Sequence, residues 1–293
     1  MSPFSRKRRG MKKVVINADD FGLCRPVNEG IVRAHREGIL TSATLMTTTP
    51  GFEEAVELAK ANPRLGVGVH LNLVRGRPLS RAEDIPGLLG PDGRFLGRPG
   101  RILRRVVSGR ISAGELEREL RAQVERAIAS GLPLTHLDSE KHLHAFPPVF
   151  RAVIKVARAY GFGRVRFIRE YRLSRHPVQS LKAAFLSACA ARVRSDLRAE
   201  GFVNPGAFYG ISNSGRMTVP TLRRILGRLG EGTAEIMVHP GFETPELFEV
   251  EKEVGRYYIN RFREQELRTL IDPSFPPLVR TLGLELVDFR GIG

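Results

Sequence analysis

Side chains that can hold a cation or move a proton are concentrated in four short segments of this 293-residue chain. Five of the seven histidines lie in these segments, which are 17–22, 68–72, 135–144 and 237–240. Imidazoles and carboxylates are ligands for Zn²⁺, Mn²⁺ or Mg²⁺, and both exchange protons with substrates. Cys24 and Cys189 are the only cysteines, too few for a thiolate zinc site. Any metal chemistry must therefore use histidines and carboxylates.

Two of these segments carry closely spaced acidic groups. Asp19 and Asp20 are adjacent, and neighbouring carboxylates raise one another's pKa unless a cation or a shared proton neutralises them. Helix capping before Pro26 is the alternative role for this pair. Four metal-competent side chains within seven residues are harder to explain by packing; they are Asp138, Glu140, His142 and His144. A cation site is the favoured interpretation.

The elements that must position these residues alternate between strand and helix. Apolar runs predict strands at 13–18, 42–47, 65–73, 134–138, 165–168, 234–239 and 284–287. Helical spacing and capping signals predict helices at 26–38, 52–61, 112–131, 147–160, 178–199, 218–229 and 246–270. The alternation predicts an α/β, (β/α) barrel-like fold, related to the TIM barrel, in a single domain. In such folds functional groups follow the carboxyl ends of strands, where the polar segments fall.

The charge balance is strongly basic, with a formal net charge of +16. Residues 1–10 are expected to be a disordered basic extension ahead of a domain at 11–293. The segment 74–110 holds nine arginines against three acidic residues, and its first part, 74–97, is long enough to be a lid. The surplus permits binding to anions without requiring it. Neither a secretory signal nor a membrane-spanning run is evident, so a cytoplasmic protein is expected.

Five motifs in series resemble the YdjC-like carbohydrate deacetylases, the ChbG/HpnK family. They are Asn-Ala-Asp-Asp-Phe-Gly at 17–22, Gly-Val-His-Leu at 68–71, His-Leu-Asp-Ser at 136–139 leading to His-Leu-His at 142–144, Ala-Phe-Tyr-Gly at 207–210 and Glu-Ile-Met-Val-His-Pro at 235–240. The resemblance implies a barrel-like fold and metal-dependent removal of the acetyl group from an N-acetylated sugar, such as a chito-oligosaccharide or an N-acetylglucosaminyl glycolipid.

The resemblance also implies roles for individual residues. Asp20 and His70 are the expected metal ligands, and the third is Glu140, where family members commonly have histidine, or else His142 or His144. A divalent metal is expected, with Mg²⁺ favoured and Zn²⁺ or Mn²⁺ left open. Metal-assisted hydrolysis then assigns Asp19 as the base and His239 as the acid.

The substrate-binding candidates are Arg169, Asp138 and Tyr209, with Asp138 also able to orient a ligand histidine. Arg166 is a further candidate for tuning Asp19. The expected partner is an N-acetylated sugar or glycolipid, with peripheral membrane contact and a homodimer left open and no nucleic acid expected. A metal-dependent phosphoesterase and a non-catalytic basic binding protein with a decayed site remain the alternatives.

Overall fold

The computed structural model describes residues 11–170 and 177–292, so the expectation for residues 1–10 lies outside the described residues. Strands and helices alternate along the chain, as predicted. The strands are β1 (Lys12–Phe21), β2 (Ser42–Leu45), β3 (Gly66–Leu71), β4 (Leu134–Ser139), β5 (Ala207–Tyr209), β6 (Gly232–Val238) and β7 (Leu284–Leu286). The α-helices are α1 (Arg25–Glu37), α2 (Phe52–Lys60), α3 (Pro99–Val107), α4 (Ala113–Ala129), α5 (Pro147–Ala159), α6 (Pro177–Ala191), α7 (Arg194–Ala199), α8 (Val219–Leu226), α9 (Pro245–Val254), α10 (Arg263–Leu270) and α11 (Phe275–Thr281). Short 3₁₀ helices lie at Ala82–Asp84, Pro86–Leu88, Glu140–Ala145, Tyr258–Phe262 and Phe289–Gly291.

All strand pairs of the sheet are parallel, in the order β4-β3-β2-β1-β6-β5, and β7 pairs with the start of β1. The two ends of this path approach each other through the segment 164–170. Isolated parallel bridges join Leu137 of β4 to Val165, and Glu170 to Phe208 of β5. The α/β barrel-like prediction is therefore confirmed, with an irregular segment in place of the strand predicted at 165–168.

Local sequence explains why the elements begin where they do. Ser112 and Glu115 form a reciprocal capping box at the start of α4, as the sequence predicts, and such a cap is worth about 1 kcal/mol. Proline occupies the first turn of α1, where its missing N–H costs nothing. The residues of β1 from Val14 to Phe21 are all buried, as expected of a central parallel strand covered on both faces.

Two predicted helices are wrong in extent. The helix predicted at 178–199 is two helices, because the chain turns at Val193 to place that side chain in the core. The helix predicted at 246–270 ends at Val254, because Gly255 adopts a left-handed φ of 88°. Helices α3 and α11 and strand β5 were not predicted; α11 and β5 are too short to show a clear period.

The long segment 74–97 packs against the last turn of α9 and the residues that follow it. Arg75 and Arg94 donate hydrogen bonds to the backbone carbonyls of Arg256 and Glu253. Phe95, near the end of this segment, is buried. Across residues 11–170 and 177–292, no helix is both long enough and apolar enough to cross a membrane.

Candidate active site

The carboxyl ends of the strands meet around a cavity of about 270 Å³. Six of the polar residues singled out from the sequence line it: Asp19, Asp20, His70, Glu140, His142 and His239. They come from the ends of β1, β3, β4 and β6, which the parallel sheet brings to one edge. The structure thus assembles residues that lie up to 220 positions apart in the sequence into one concave site.

Both aspartates of the adjacent pair reach this cavity because the end of β1 is irregular. Successive side chains of a regular strand point to opposite faces. The register of β1 against β2 shifts between Ala18 and Phe21, and Asp20 has a left-handed φ of 71°. A non-glycine residue in this region carries a backbone strain of about 1–3 kcal/mol, which is typical of functional sites.

A fully buried arginine, Arg166, neutralises the carboxylates at the floor of the site. Its Nη1 and Nη2 donate to Asp19 Oδ2 and Oδ1 at 2.9 and 2.6 Å. Its Nη1 also lies 2.6 Å from Asp138 Oδ2, and its Nε donates to Glu235 at 2.7 Å. Burial raises the pKa of Asp19, but Arg166 and then His70 outweigh it and hold that pKa well below its usual range. Asp19 is therefore ionised and fixed in orientation.

Three carboxyl groups share this one guanidinium, and burial makes one of them, Glu235, harder to ionise. Its pKa is raised to about 7 by burial, against the opposing effect of Arg166. Arg166 stands in the segment 164–170, and its ring neighbour Phe208 lies 5.4 Å from its guanidinium carbon. The sequence analysis named Arg166 only as a candidate for tuning Asp19; the structure places it at the centre of the charge cluster.

His70 is held between two carboxylates. Its Nδ1 lies 2.7 Å from Asp138 Oδ1, and its Nε2 lies 3.8 Å from Asp20 Oδ1. Burial lowers the pKa of His70, but Asp138, Asp19 and Asp20 outweigh it and raise that pKa to about 9. A carboxylate on one ring nitrogen is the usual way to orient the other nitrogen toward a cation.

Asp20 and Glu140 also have one charged partner each. Arg263 Nη2 donates to Asp20 Oδ2 at 2.6 Å, and Arg75 Nε lies 2.9 Å from Glu140 Oε1. Burial raises the pKa of Glu140, and among the described residues neither of its carboxylate oxygens accepts a hydrogen bond of good geometry. The guanidinium of Arg75 stacks on the ring of Tyr257, 4.0 Å from its centroid.

Glu140 lies at the start of a 3₁₀ segment with unusual backbone geometry. Lys141 and His142 follow it with left-handed φ values of 54° and 58°. The turn brings Glu140 and His142 to the cavity, while His144 lies behind them, with Nδ1 2.7 Å from the hydroxyl of Ser139. Of the alternatives for a third ligand, Glu140 and His142 line the cavity and His144 does not.

His239 follows β6 on the same cavity. Its backbone N–H donates to Glu266 Oε2 at 2.6 Å, and its ring Nδ1 lies 3.8 Å from the same oxygen. Glu266 is buried, and its carboxylate is held in place by the backbone N–H groups of His239 and Gly215. This placement suits the proton-donating role that the sequence analysis gave to His239.

Arg169 and Tyr209, two of the predicted substrate-binding residues, do not reach this cavity. Both line a separate cavity of about 530 Å³ near the start of β6. Strand alternation is the reason: Phe208 faces inward onto Arg166 and His142, so its neighbour Tyr209 faces the other side. The third, Asp138, lies beneath His70 rather than at the cavity surface.

Sequence reasoning missed Arg75, Arg263 and the role of Glu235. Arg263 carried a signal, because it shares the apolar helical spacing of Leu267 and Leu270, and a charged residue at such a position needs a buried partner. Arg75 carried none, since it stands among many arginines.

Comparisons with known proteins identify the family. A family model described as YdjC-like protein matches residues 13–281. A carbohydrate deacetylase of Brevibacillus brevis is 38% identical over 284 residues, covering 96% of this chain and all of that protein. A chitooligosaccharide deacetylase of Yersinia enterocolitica is 30% identical and covers 94% of this chain and 97% of that one. A crystal structure of a putative cellobiose-phosphate cleavage protein from Enterococcus faecalis superposes with a TM-score of 0.74 at 25% identity, covering 96% of this chain and 98% of that chain. The chain belongs to the YdjC-like family.

Proposed function

We propose that this protein is a carbohydrate deacetylase that hydrolyses the acetamide group of an N-acetylated sugar with the help of a divalent cation. Relatives that span nearly the whole chain carry the names carbohydrate deacetylase and chitooligosaccharide deacetylase. One observation carries the proposal. Three potential ligands, Asp20, His70 and Glu140, line one cavity, and each has its own charged partner to fix it.

The donor set fits a divalent cation. Two atoms bound to one ion at about 2.1 Å each lie between about 3.0 and 4.2 Å apart. The 3.8 Å between His70 Nε2 and Asp20 Oδ1 falls in this range. Glu140 adds a buried carboxylate oxygen that lacks a hydrogen-bond donor. Two carboxylates with one imidazole favour Mg²⁺, with Mn²⁺ and Zn²⁺ as the competing ions.

A second group of potential ligands, Asp19, His70 and Asp138, also lies close together, with ligand atoms within 4.8 Å of one another. This group is the poorer cation site. Arg166 contacts both oxygens of Asp19 and one of Asp138, and His70 Nδ1 already contacts Asp138. A cation there would lie against a buried guanidinium, so Asp138 is better suited to orienting His70.

A cation bound by Asp20, His70 and Glu140 would polarise the acetyl carbonyl and make an attacking water more acidic. Asp19 is placed to take the proton of that water. Arg166 and Asn17 hold its oxygens by three hydrogen bonds, which leave one lone pair of Oδ2 free in a residue that lines the cavity.

His239 is placed to complete the hydrolysis. A new C–O bond forms at the acetyl carbon, and the C–N bond breaks as the sugar nitrogen accepts a proton, because an amine leaves more readily than an amide anion. Glu266 beside His239 stabilises the imidazolium before that transfer. The products are acetate and the free amino sugar.

The test combines metal analysis with acetate release from N-acetylglucosamine oligomers. Asp20→Asn keeps a side chain that tolerates left-handed φ but weakens the ligand, so metal content and activity should both be lost. Asp19→Asn should retain the metal and lose about 10²–10⁴-fold in kcat. Asp92→Asn, at an exposed site far along the chain, is the control.

Two outcomes would contradict the proposal. One is unchanged metal content in both Asp20→Asn and His70→Gln. The other is release of phosphate from phosphate esters with no release of acetate from any N-acetylated sugar, which would support the phosphoesterase alternative.

A further inference from the structure

Helix α6 is apolar on nearly all sides. Its sequence from Pro177 to Ala191 contains a single charged residue, Lys182. One face, formed by Ala183, Leu186 and Ala190, is buried against the core. A helix that is apolar all round is normally covered on every side, so the opposite face of α6 is expected to have a partner as well.

That opposite face is exposed. Val178 is 76% exposed, Leu181 72% and Phe185 54%. Their spacing of three and four residues puts them on one side of the helix, which we call the α6 outer face. Phe185 also contacts Phe146, at 5.7 Å between ring centroids. Contiguous exposed apolar side chains of this kind mark an interaction surface.

The α6 outer face borders the opening of the active-site cavity. Lys182 lies on α6 beside Leu181 and lines that cavity. Tyr258, which is 59% exposed, lines it as well. These exposed lining residues mark where the cavity meets solvent, so whatever covers the α6 outer face also lies at the entrance to the site.

Charge distinguishes the candidate partners. Lys182 forms no ion pair with any residue that the structure describes. Within the described residues of the segment 151–198, which contains α6, seven basic residues are exposed against one acidic residue. In a two-fold dimer through this face, like charges would meet like charges. An anionic surface would be attracted instead.

We propose that the α6 outer face docks on an anionic lipid bilayer. Val178, Leu181 and Phe185 enter the interface between headgroups and acyl chains, while Lys182 meets the anionic headgroups. Tyr258 is suited to the same depth, because a tyrosine presents an apolar ring and a polar tip. This docking goes beyond the proposed function, since it gives the enzyme a membrane surface as a partner and points its cavity toward sugars carried at that surface.

The experiment is co-sedimentation of the full chain with vesicles, measured without substrate. The vesicles are phosphatidylcholine alone and phosphatidylcholine mixed equally with phosphatidylglycerol. We expect binding to the anionic vesicles that weakens with added salt, and a loss of about tenfold or more in affinity for the double variant Leu181→Asp, Phe185→Asp. Val178→Asp, at the most exposed of the three positions, is a second variant expected to weaken binding if the double variant folds poorly.

The matched control is Ile128→Asp on α4, since Ile128 is 43% exposed and lies outside the α6 outer face. It should bind vesicles like the unaltered chain. All variants should release acetate from soluble oligosaccharides at the same rate, so a failure of docking is distinguishable from a failure of the deacetylase proposal. Equal vesicle binding by all variants overturns the inference. So does a fall from dimer to monomer in light scattering for the α6 variants, because the face would then cover a second copy.

Discussion

Replacing Arg166 by methionine tests whether one guanidinium holds the active-site carboxylates together. The side chain is completely buried and contacts Asp19, Asp138 and Glu235. Methionine preserves much of the apolar stem but removes every charged contact. The variant therefore leaves buried carboxylates without their shared counter-charge.

The size of the effect follows from these contacts. Removing one partner of a buried ion pair costs about 3–5 kcal/mol. Arg166 has three partners, but the cost does not triple, because carboxyls that lose their counter-charge take up protons instead. We expect a loss of about 4 kcal/mol in unfolding free energy at pH 8. For a chain of this length each 1 kcal/mol lowers Tm by about 2 °C, so Tm should fall by about 8 °C.

The pH dependence has a definite sign. Arg166 holds the pKa of Asp19 well below its usual range. In the Arg166→Met variant the folded protein binds a proton at these carboxyls more readily. The loss of unfolding free energy relative to the unaltered protein is therefore greatest at high pH, and it shrinks as the pH falls and the carboxyls protonate. Thermal unfolding of both proteins at pH 8 and pH 5 measures this. Arg101→Met, at an exposed arginine without an ion pair among the described residues, should change stability by less than about 0.5 kcal/mol. A loss below about 1 kcal/mol at pH 8, or a loss that grows in acid, would refute the reasoning.

Three further substitutions test other parts of the structure. Asp138→Asn removes the carboxylate that orients His70 and should weaken Mn²⁺ affinity about 10–100-fold in equilibrium dialysis; an unchanged affinity would show that Asp138 has no such role. Glu235→Gln should abolish a decline in stability between about pH 4.5 and 7, because the pKa of Glu235 is raised from 4.5 to about 7 and the folded state holds that proton more tightly than the unfolded state. Urea unfolding of both proteins across this pH range measures the decline. If the decline persists in Glu235→Gln, another group causes it. Gly68→Ala would place a Cβ 2.4 Å from the ring of His136 and 2.8 Å from its carbonyl oxygen. We expect the clash to lower the unfolding free energy by about 1–3 kcal/mol and Tm by several degrees. A Tm equal to that of the unaltered protein would mean that the strands can separate without cost.

The sequence was informative about the site because strand ends carry its chemistry. Asp20, His70 and His239 each follow or end an apolar run, and parallel strands end at the same edge of a sheet. The fold class alone was enough to predict that these three residues come together. Preferring Glu140 to His144 as the third ligand required knowledge of the left-handed turn that follows Glu140. No sequence pattern predicts such a turn in residues other than glycine.

The charged partners were harder to predict. Arg263 and Arg75 lie far along the chain from Asp20 and Glu140, and pairing them requires knowledge of which loops fold over the cavity. Composition added to the difficulty, since 47 basic residues offered many candidates. The break between α6 and α7 at Val193 could not be predicted either. The apolar spacing of the sequence continues through it, but the chain turns there to bury Val193 in the core.

The irregular segment 164–170 has a practical consequence for structural work. Isolated bridges are its only sheet pairing in the described chain, while Arg166 within it reaches carboxylates on β1, β4 and β6. The seam of the barrel is thus stabilised partly by the same charged groups that the proposed reaction uses. An inactive form for trapping a substrate is therefore better made at His239, which stands outside this seam, than at Asp19 or Asp138, where inactivation would also loosen the wall of the binding site.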